Sequence, residues 1–151
     1  MTFRMGIIGC GAIGNVHAET ARRAGLTVAG NWDLLPDRVA GMASKHEGCV
    51  GHASVSDLLA SDIDAVAVAV SNRCHVECAV AALEAGKHVL LEKPMAMNVA
   101  QCDEIIAAAE RSGKILQLGF VCRGAPASLA VKDFIDAGRF GEIYHAKCSF
   151  Y

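Results

Sequence analysis

The chain has 151 residues, a normal size for one domain, and its hydrophobic fraction of 53% is ample for a buried core. Charged residues make up 20% and the formal net charge is −2 without a basic block, which argues against nucleic-acid or anionic-membrane binding as the main activity. No apolar stretch approaches the roughly 20 residues that span a bilayer, and the first residues run straight into a predicted strand. We therefore expect neither a membrane segment nor a signal peptide.

The cysteines predict free thiols. Their number is odd, they are scattered, and none has Cys-x-x-Cys spacing; they are Cys10, Cys49, Cys74, Cys78, Cys102, Cys122 and Cys148. Cys74 and Cys78 are four residues apart, but a structural metal would need two more ligands, so we expect no metal site. Abundant free thiols are typical of a reducing compartment, which predicts a cytoplasmic protein.

Strand-like and helix-like segments alternate along the first 118 residues. Predicted strands cover residues 4–8, 27–31, 65–70, 89–91 and 115–118. Predicted helices cover residues 12–24, 36–45, 55–60, 75–85 and 98–111. This alternation predicts βαβ units, which build a parallel sheet with right-handed crossovers and helices on both faces. The fold class is therefore α/β with a doubly wound parallel sheet.

The last 30 residues follow a different pattern. A helix is predicted over residues 126–137, and residues 141–151 alternate between apolar and polar side chains like a strand. A solitary strand with one apolar face has to pair with something. We expect either self-association through this strand or a longer protein of which this chain is the front part.

A glycine-rich loop joins the first predicted strand to the first predicted helix. Gly9-Cys10-Gly11-Ala12-Ile13-Gly14 fits G-x-G-x-x-G, and its position between a strand and a helix is the context that this dinucleotide fingerprint requires. Gly9 permits the tight turn, Gly11 lets the backbone approach a pyrophosphate, and Gly14 lets the helix pack on the strand. The free N–H groups of the helix start, including those of Ala12 and Ile13, suit the phosphates.

An acidic residue follows the second predicted strand. Asp33 lies where a carboxylate should accept hydrogen bonds from an adenosine ribose, and it would repel a 2′-phosphate. Leu34 follows instead of an arginine or serine, so NAD is favoured over NADP as the cofactor. Arg38, about one helical turn further on, either stacks over the adenine or is a solvated helix residue.

A lysine closes the apolar run of residues 88–91. Ligands bind at the carboxyl ends of strands in open α/β sheets, and Pro94 stops the strand so that Lys93 is presented there. A methyltransferase could also use the glycine loop and Asp33, but it gives no reason for Glu92-Lys93-Pro94. Alone, the motif would also fit a solvated turn lysine.

These features together resemble one family, the glucose–fructose oxidoreductase / inositol dehydrogenase / rhizopine-catabolism (Gfo/Idh/MocA) oxidoreductases. The resemblance covers essentially the whole chain. Beyond the glycine loop it rests on His17, Asp33-x-x-Pro36-x-Arg38, Ser71-Asn72-x-x-His75, residues 82–89, Glu92-Lys93-Pro94, Gly119-Phe120-x-x-Arg123 with Pro126, and Gly138-x-x-Gly141-Glu142-Ile143. Val70-Ser71 departs from the Thr-Pro that often precedes the asparagine in this family.

The resemblance implies a Rossmann domain, here residues 1–121, followed by the beginning of an α/β substrate and oligomerisation domain, residues 122–151. It implies hydride transfer between a nicotinamide and a sugar, polyol or related CH–OH carbon, with Lys93 at the reacting oxygen. Glu92 and Lys93 would flank the nicotinamide, and Ser71, Asn72 and His75 would lie near the middle of the cofactor. The family's catalytic aspartate and histidine would fall beyond residue 151.

The sequence therefore supports two possible functions. The first is an NAD-dependent oxidoreductase, of which this chain is the cofactor-binding part, expected to be inactive alone. The alternative is a non-catalytic dinucleotide-binding regulator of the same family. Partners are expected to be a small polyol-like substrate and further copies of the chain. His17 is assigned a structural or cofactor-side role, and His88 and His145 are expected to be structural or solvated. His46 and His52 lie in predicted loops without a partner motif.

Overall fold

The computed structural model describes residues 2–149, and the chain divides into two compact units, the first ending at Gly119 and the second beginning at Phe120. The strands are β1 Arg4–Ile8, β2 Thr27–Trp32, β3 Val50–Gly51, β4 Ala65–Val68, β5 His88–Leu91 and β6 Leu116–Leu118. The helices are α1 Ala12–Arg23, α2 Pro36–Ala43, α3 Val55–Ala60, α4 His75–Glu84, α5 Val99–Ser112 and α6 Pro126–Asp136.

The strands form one parallel sheet in the order β3-β2-β1-β4-β5-β6. The chain starts in the middle, builds outwards through β2 and β3, and returns to the other side of β1 with β4. The strand order therefore reverses between β1 and β4, and a doubly wound sheet binds ligands outside the carboxyl ends of its strands at this position. The predicted α/β doubly wound fold is confirmed.

Two hydrophobic clusters cover the two faces of the sheet. Successive strand residues point to opposite faces, so Met5 and Ile7 of β1 pack in one cluster with residues of α1 and α2. Ile8 packs in the other cluster with α3, α4 and α5. Because both faces are covered, β4 is apolar and buried at every position, as the continuous run of residues 65–68 requires.

The helix ends follow local capping signals. The Ser54 side chain accepts a hydrogen bond from the Asp57 N–H at the start of α3, and Asn98 does the same for Gln101 at the start of α5. Gly113 ends α5 in the left-handed conformation with φ +63°. These caps set the lengths of the two crossovers that return the chain to the sheet.

The sheet differs from the sequence prediction at its edge and at β4. Strand β3 was not predicted, because a two-residue edge strand carries no periodic signal. Strand β4 ends at Val68 instead of residue 70, since the chain turns away after its last hydrogen bond, from the Ala69 N–H to the Ile8 carbonyl (2.8 Å).

The second unit contains a short 3-10 turn, Val121–Gly124, and helix α6. The guanidinium carbon of Arg123 lies 4.8 Å from the centre of the Phe120 ring. The predicted strand over 141–151 is wrong for residues 141–149, which form no strand, and its last two positions lie outside the described residues. Alternating side chains cannot hold a strand whose backbone N–H and C=O groups have no neighbouring strand to bond.

The described part of the chain holds no helix long and apolar enough to cross a membrane. Across residues 2–149, no three or more His, Cys, Asp and Glu side chains are grouped so that they could hold a metal ion. All seven cysteines are free thiols; Cys10, Cys49 and Cys78 are buried, whereas Cys122 and Cys148, in the second unit, are exposed.

Candidate functional site

The glycine loop makes a turn that side chains would block. Gly9 has φ +97°, and a Cβ there would lie 2.5 Å from the carbonyl oxygen of Ala69. A Cβ on Gly14 would lie 1.8 Å from the Gly9 carbonyl oxygen. Both glycines are therefore required by the protein itself, as the fingerprint predicts.

Gly11 differs from these two glycines because the protein leaves space around it. The nearest atom that a Cβ at Gly11 would meet is Nη1 of Arg38, at 3.9 Å. Gly11 is also the N-cap of α1 and offers no side chain to cap the first N–H groups, with Ala12 and Ile13 exposed in the first turn. The uncapped helix start and the open space beside Gly11 fit an anionic group such as a pyrophosphate.

A network of polar side chains holds the glycine loop in place. The Asn15 side-chain amide donates to the carbonyls of Cys10 (2.9 Å) and Gly11 (2.8 Å). The Cys10 thiol lies 3.4 Å from Oδ1 of Asn31, whose amide donates to Cys49 Sγ (3.2 Å). Burial, together with the nearby Asp33 carboxylate, raises the pKa of Cys10 to about 12. The thiol therefore stays neutral at physiological pH and places no negative charge next to the glycine loop.

Asp33 lies directly after β2 with its side chain only 8% exposed. One carboxylate oxygen accepts a hydrogen bond from the Cys10 N–H (2.7 Å) and the other from the Leu35 N–H (2.9 Å). The Arg38 guanidinium lies 3.8 Å from the first oxygen. A carboxylate has about four acceptor positions, so Asp33 can still accept ribose hydroxyls while it holds the glycine loop.

A cleft of about 640 Å³ opens at the carboxyl ends of β1, β2 and β4. It brings together five of the residues predicted for the cofactor: Gly9, Gly11, Asp33, Arg38 and Ser71. It is also lined by residues that the sequence analysis missed, among them Trp32, Ser54, Val55, Ala69, Val70 and Cys78. The position of Trp32 was predictable, because it immediately precedes Asp33. Ser54 and Val55 at the start of α3 were not, because only the folding of the chain brings them next to the end of β2.

The segment after β4 splits between the cleft and the interior. Asn72 is exposed in a 3-10 turn, Asn72–Cys74, next to the cleft residue Ser71. His75 is 1% exposed and does not line the cleft. Its Nδ1 lies 2.7 Å from the Pro94 carbonyl oxygen and its Nε2 lies 3.3 Å from that of Val70. His75 thus joins the chain after β4 to the chain after β5, and its contact with a cofactor stays a prediction.

Glu92 and Lys93 lie after β5, outside the cleft lining, and the Lys93–Pro94 peptide bond is cis. The Glu92 carboxylate lies 2.9 Å from Nε2 of His17 on α1, and the two side chains are 15% and 14% exposed. The Lys93 side chain is exposed, and within residues 2–149 it forms no salt bridge. Its ammonium group is therefore accessible at the carboxyl edge of the sheet.

Three other histidines, His88, His46 and His145, lie away from the cleft. His88 at the start of β5 is structural, since its Nδ1 accepts a hydrogen bond from the Ile115 N–H (3.0 Å). His46 is 7% exposed, and its Nδ1 is buried without a partner among the described residues. His145 is exposed. None of these three lines the cleft.

A doubly wound sheet, a glycine loop at the switch point, an uncapped helix start and an acid after β2 define a dinucleotide-binding Rossmann domain. A sequence profile described as "Oxidoreductase family, NAD-binding Rossmann fold", that of the Gfo/Idh/MocA proteins, matches residues 3–120. The chain belongs to this oxidoreductase family, and its cofactor class is NAD.

Relatives of this chain are sugar and polyol enzymes by name. It is 39% identical to inositol 2-dehydrogenase 2 of Saccharopolyspora erythraea over 93% of its length, and 35% identical to 1,5-anhydro-D-fructose reductase of Ensifer adhaerens over 95%. It spans only 43% and 45% of these proteins. A solved structure of the WlbA dehydrogenase from Chromobacterium violaceum, in complex with NADH and UDP-GlcNAcA, superposes with a TM-score of 0.89 at 29% identity, covering 95% of this chain and 42% of that one.

Proposed function

We propose that this chain is the cofactor-binding part of an NAD-dependent oxidoreductase that acts on a CH–OH group of a sugar, polyol or related small molecule. One observation carries the proposal: an exposed lysine, Lys93, stands at the carboxyl end of β5, on the same sheet edge as the dinucleotide cleft. The names of the relatives support the substrate class, and the chain spans under half of the length of each.

In this proposal, the cleft residues and their neighbours contact different parts of the dinucleotide. Gly11 and the first N–H groups of α1 at Ala12 and Ile13 hold the pyrophosphate, and Gly9 and Gly14 allow the tight turn that presents them. Asp33 accepts the ribose hydroxyls, and Arg38 lies against the adenine. Ser71 and Asn72 contact the middle of the cofactor.

Lys93 is the catalytic residue that we assign to this chain. Bound NAD supplies the acceptor for a hydride. The Lys93 ammonium donates a hydrogen bond to the substrate oxygen and stabilises the negative charge that develops there as the hydroxyl gives up its proton, which passes to a base that the family resemblance puts beyond this chain. That charge is spent in forming the carbonyl as the hydride leaves the carbon. Pairing with an internal carboxylate would weaken this effect, and the Lys93 ammonium forms no salt bridge within residues 2–149.

NAD rather than NADP is the proposed physiological cofactor. A 2′-phosphate would meet the Asp33 carboxylate, which is already committed to two backbone N–H groups and cannot turn away without releasing the loop. Leu34, next in the chain, is 82% exposed and offers no donor to a phosphate.

The cofactor proposal can be tested by fluorescence, because the chain has a single tryptophan and that residue, Trp32, lines the cleft. NADH absorbs where tryptophan emits, so NADH binding should quench Trp32 and sensitise the dihydronicotinamide emission. ADP-ribose, which lacks the nicotinamide, should compete for the cleft and abolish the sensitised emission. Absence of sensitised emission that ADP-ribose displaces, after correction for light absorbed by free NADH up to about 1 mM, would contradict the proposal.

This chain alone is expected to bind NADH without oxidising polyols, since the resemblance puts the other catalytic groups in a further domain. Incubation with NAD and a panel of inositols and hexoses, followed at the NADH absorbance, checks this. Polyol-dependent NADH formation by the 151-residue chain would show that the residues in hand suffice for catalysis.

A further inference from the structure

The Glu92 side chain is held by the protein on three sides. Its Oε1 lies 2.9 Å from Nε2 of His17 on α1. Its Oε2 accepts a hydrogen bond from the Lys93 N–H (3.1 Å). Since a carboxylate is an acceptor only, the His17 contact requires a proton on Nε2, which donates to Glu92.

Gly119 provides the third side. A Cβ at this buried glycine would lie 3.0 Å from Oε1 and 3.2 Å from Cδ of Glu92. The Gly119 N–H donates to the carbonyl of Leu91 (2.8 Å), the residue before Glu92. The end of β6 therefore leaves a space that the Glu92 carboxylate fills, and a Cβ at position 119 would force the carboxylate to shift by a few tenths of an ångström.

Pro94, on the other side of Lys93 in the chain, is held by a second histidine. The Pro94 carbonyl oxygen lies 2.7 Å from Nδ1 of the buried His75 at the start of α4. Two histidines from two different helices thus hold the residues on either side of Lys93. The Lys93 side chain between them is exposed and forms no salt bridge in the described chain.

We propose that His17 and Glu92 are a pair of positioning residues that fix Lys93 relative to α1, the helix that carries the phosphate site. The pair thereby strengthens the binding of the nicotinamide half of the cofactor. The inference rests on the proposed function. It assigns Glu92 an indirect action through Lys93 and the loop, and it gives His17 a defined partner. The pair lies 75 residues apart in sequence and links the helix after β1 to the loop after β5.

The test compares two ligands that share the adenosine diphosphate ribose half and differ in the nicotinamide. His17→Leu removes the donor at similar volume, and His17→Gln retains a side-chain N–H. With His17→Leu we expect NADH affinity to fall by about tenfold, the effect of one lost charge-assisted hydrogen bond, while ADP-ribose affinity stays within about twofold. His17→Gln should recover most of the loss.

The second arm is a double-mutant cycle with Glu92→Leu. If the two side chains act as a unit, the double variant should lose no more NADH affinity than either single variant. Equal losses of NADH and ADP-ribose affinity, or additive losses in the cycle, would overturn the inference. So would unchanged NADH affinity in His17→Leu.

A folding failure is distinguished by the thermal midpoint and by the ADP-ribose titration itself, which requires an intact cleft. Gly119→Ala supplies an independent variant, because it displaces the Glu92 carboxylate without changing either member of the pair, and it should reproduce the selective loss of NADH affinity. Wild-type chain that binds neither ligand would refute the proposed function; wild-type chain that binds both, with variants that do not discriminate between them, would refute only the positioning role.

Discussion

Asp33 combines two tasks at the scale of a single residue. Its carboxylate organises the glycine loop by accepting the Cys10 N–H, and the same side chain remains within reach of a ligand in the cleft. A substitution there removes a loop contact together with the acceptor that we propose for the ribose. The loss of binding energy should therefore reflect both.

Asp33→Ala is expected to weaken NADH binding by about 1–3 kcal/mol, or roughly 5- to 150-fold, because buried hydrogen-bond partners lose their acceptor. The affinity for NADPH should fall less, since removal of the carboxylate also removes its repulsion of the 2′-phosphate. Calorimetric titration of both cofactors measures the change. Asp37→Ala, a loss of equal charge in the first turn of α2, serves as the control, and an equal loss in both variants would refute the assignment.

Buried thiols make the fold sensitive to alkaline pH. Burial raises the pKa of Cys10 to about 12 and that of Cys78 to about 11 from 9.0. Above pH 9 the unfolded chain releases these thiol protons while the folded chain keeps them. The free energy of unfolding is therefore unaffected by the two thiols below pH 9 and falls as the pH rises towards their folded-state pKa values. Each thiol should lower the free energy of unfolding by about 1 kcal/mol per pH unit in that window.

Denaturant titrations between pH 9 and 11 test this expectation. Cys10→Ala should flatten the decline in unfolding free energy by the contribution of one thiol. Cys122→Ala, at an exposed position, should leave the slope unchanged. Identical slopes for wild type and Cys10→Ala would show that the buried thiol has no role in the pH dependence.

At the scale of elements, α1 is positioned by a close backbone contact. Gly14 lies on the first turn of α1 and faces the Gly9 carbonyl, which is where the strand passes into the loop. The helix start can therefore approach the sheet only if position 14 lacks a side chain. This contact fixes the direction in which the first N–H groups of α1 point.

Gly14→Ala should destabilise the fold by about 3 kcal/mol or more, because its Cβ would lie 1.8 Å from the Gly9 oxygen and α1 would have to shift. NADH binding should weaken with it. Gly41→Ala is the matched control: no atom lies within 4 Å of its added Cβ, and alanine is the better helix former, so stability should stay equal or rise. Thermal denaturation of both variants measures these changes in stability.

The elements that the sequence predicted correctly are those with long periodic or fully apolar patterns. The α/β alternation, the glycine loop and the position of Asp33 follow from such local signals. Strand β3 and the state of residues 141–149 depend on pairing, which no local pattern contains. The contact between His17 and Glu92 was missed for the same reason, since 75 residues separate the two side chains.

At the scale of the whole molecule, the cleft and the second unit are separable in sequence. Every residue that lines the cleft lies between Gly9 and Cys78, inside the first compact unit. The second unit exposes large apolar side chains on and after α6: Leu129, Val131, Phe134, Ile135, Phe140, Ile143 and Tyr144. Such surfaces favour association.

A chain that ends at Gly119 should therefore bind NADH within about twofold of the 151-residue chain and should sediment as a monomer. The longer chain should self-associate in a concentration-dependent manner. Sedimentation velocity and the Trp32 titration on both chains test the two halves of this prediction. A monomeric 151-residue chain would argue against self-association through the second unit.

The uneven distribution of the seven thiols has a practical consequence for that measurement. The buried cysteines are shielded from oxidants, whereas Cys122 and Cys148 are exposed in the same unit that is expected to associate. Air oxidation would join chains covalently through these two positions and imitate a reversible oligomer. Sedimentation under reducing conditions, or with both residues replaced by serine, separates a chemical cross-link from true assembly.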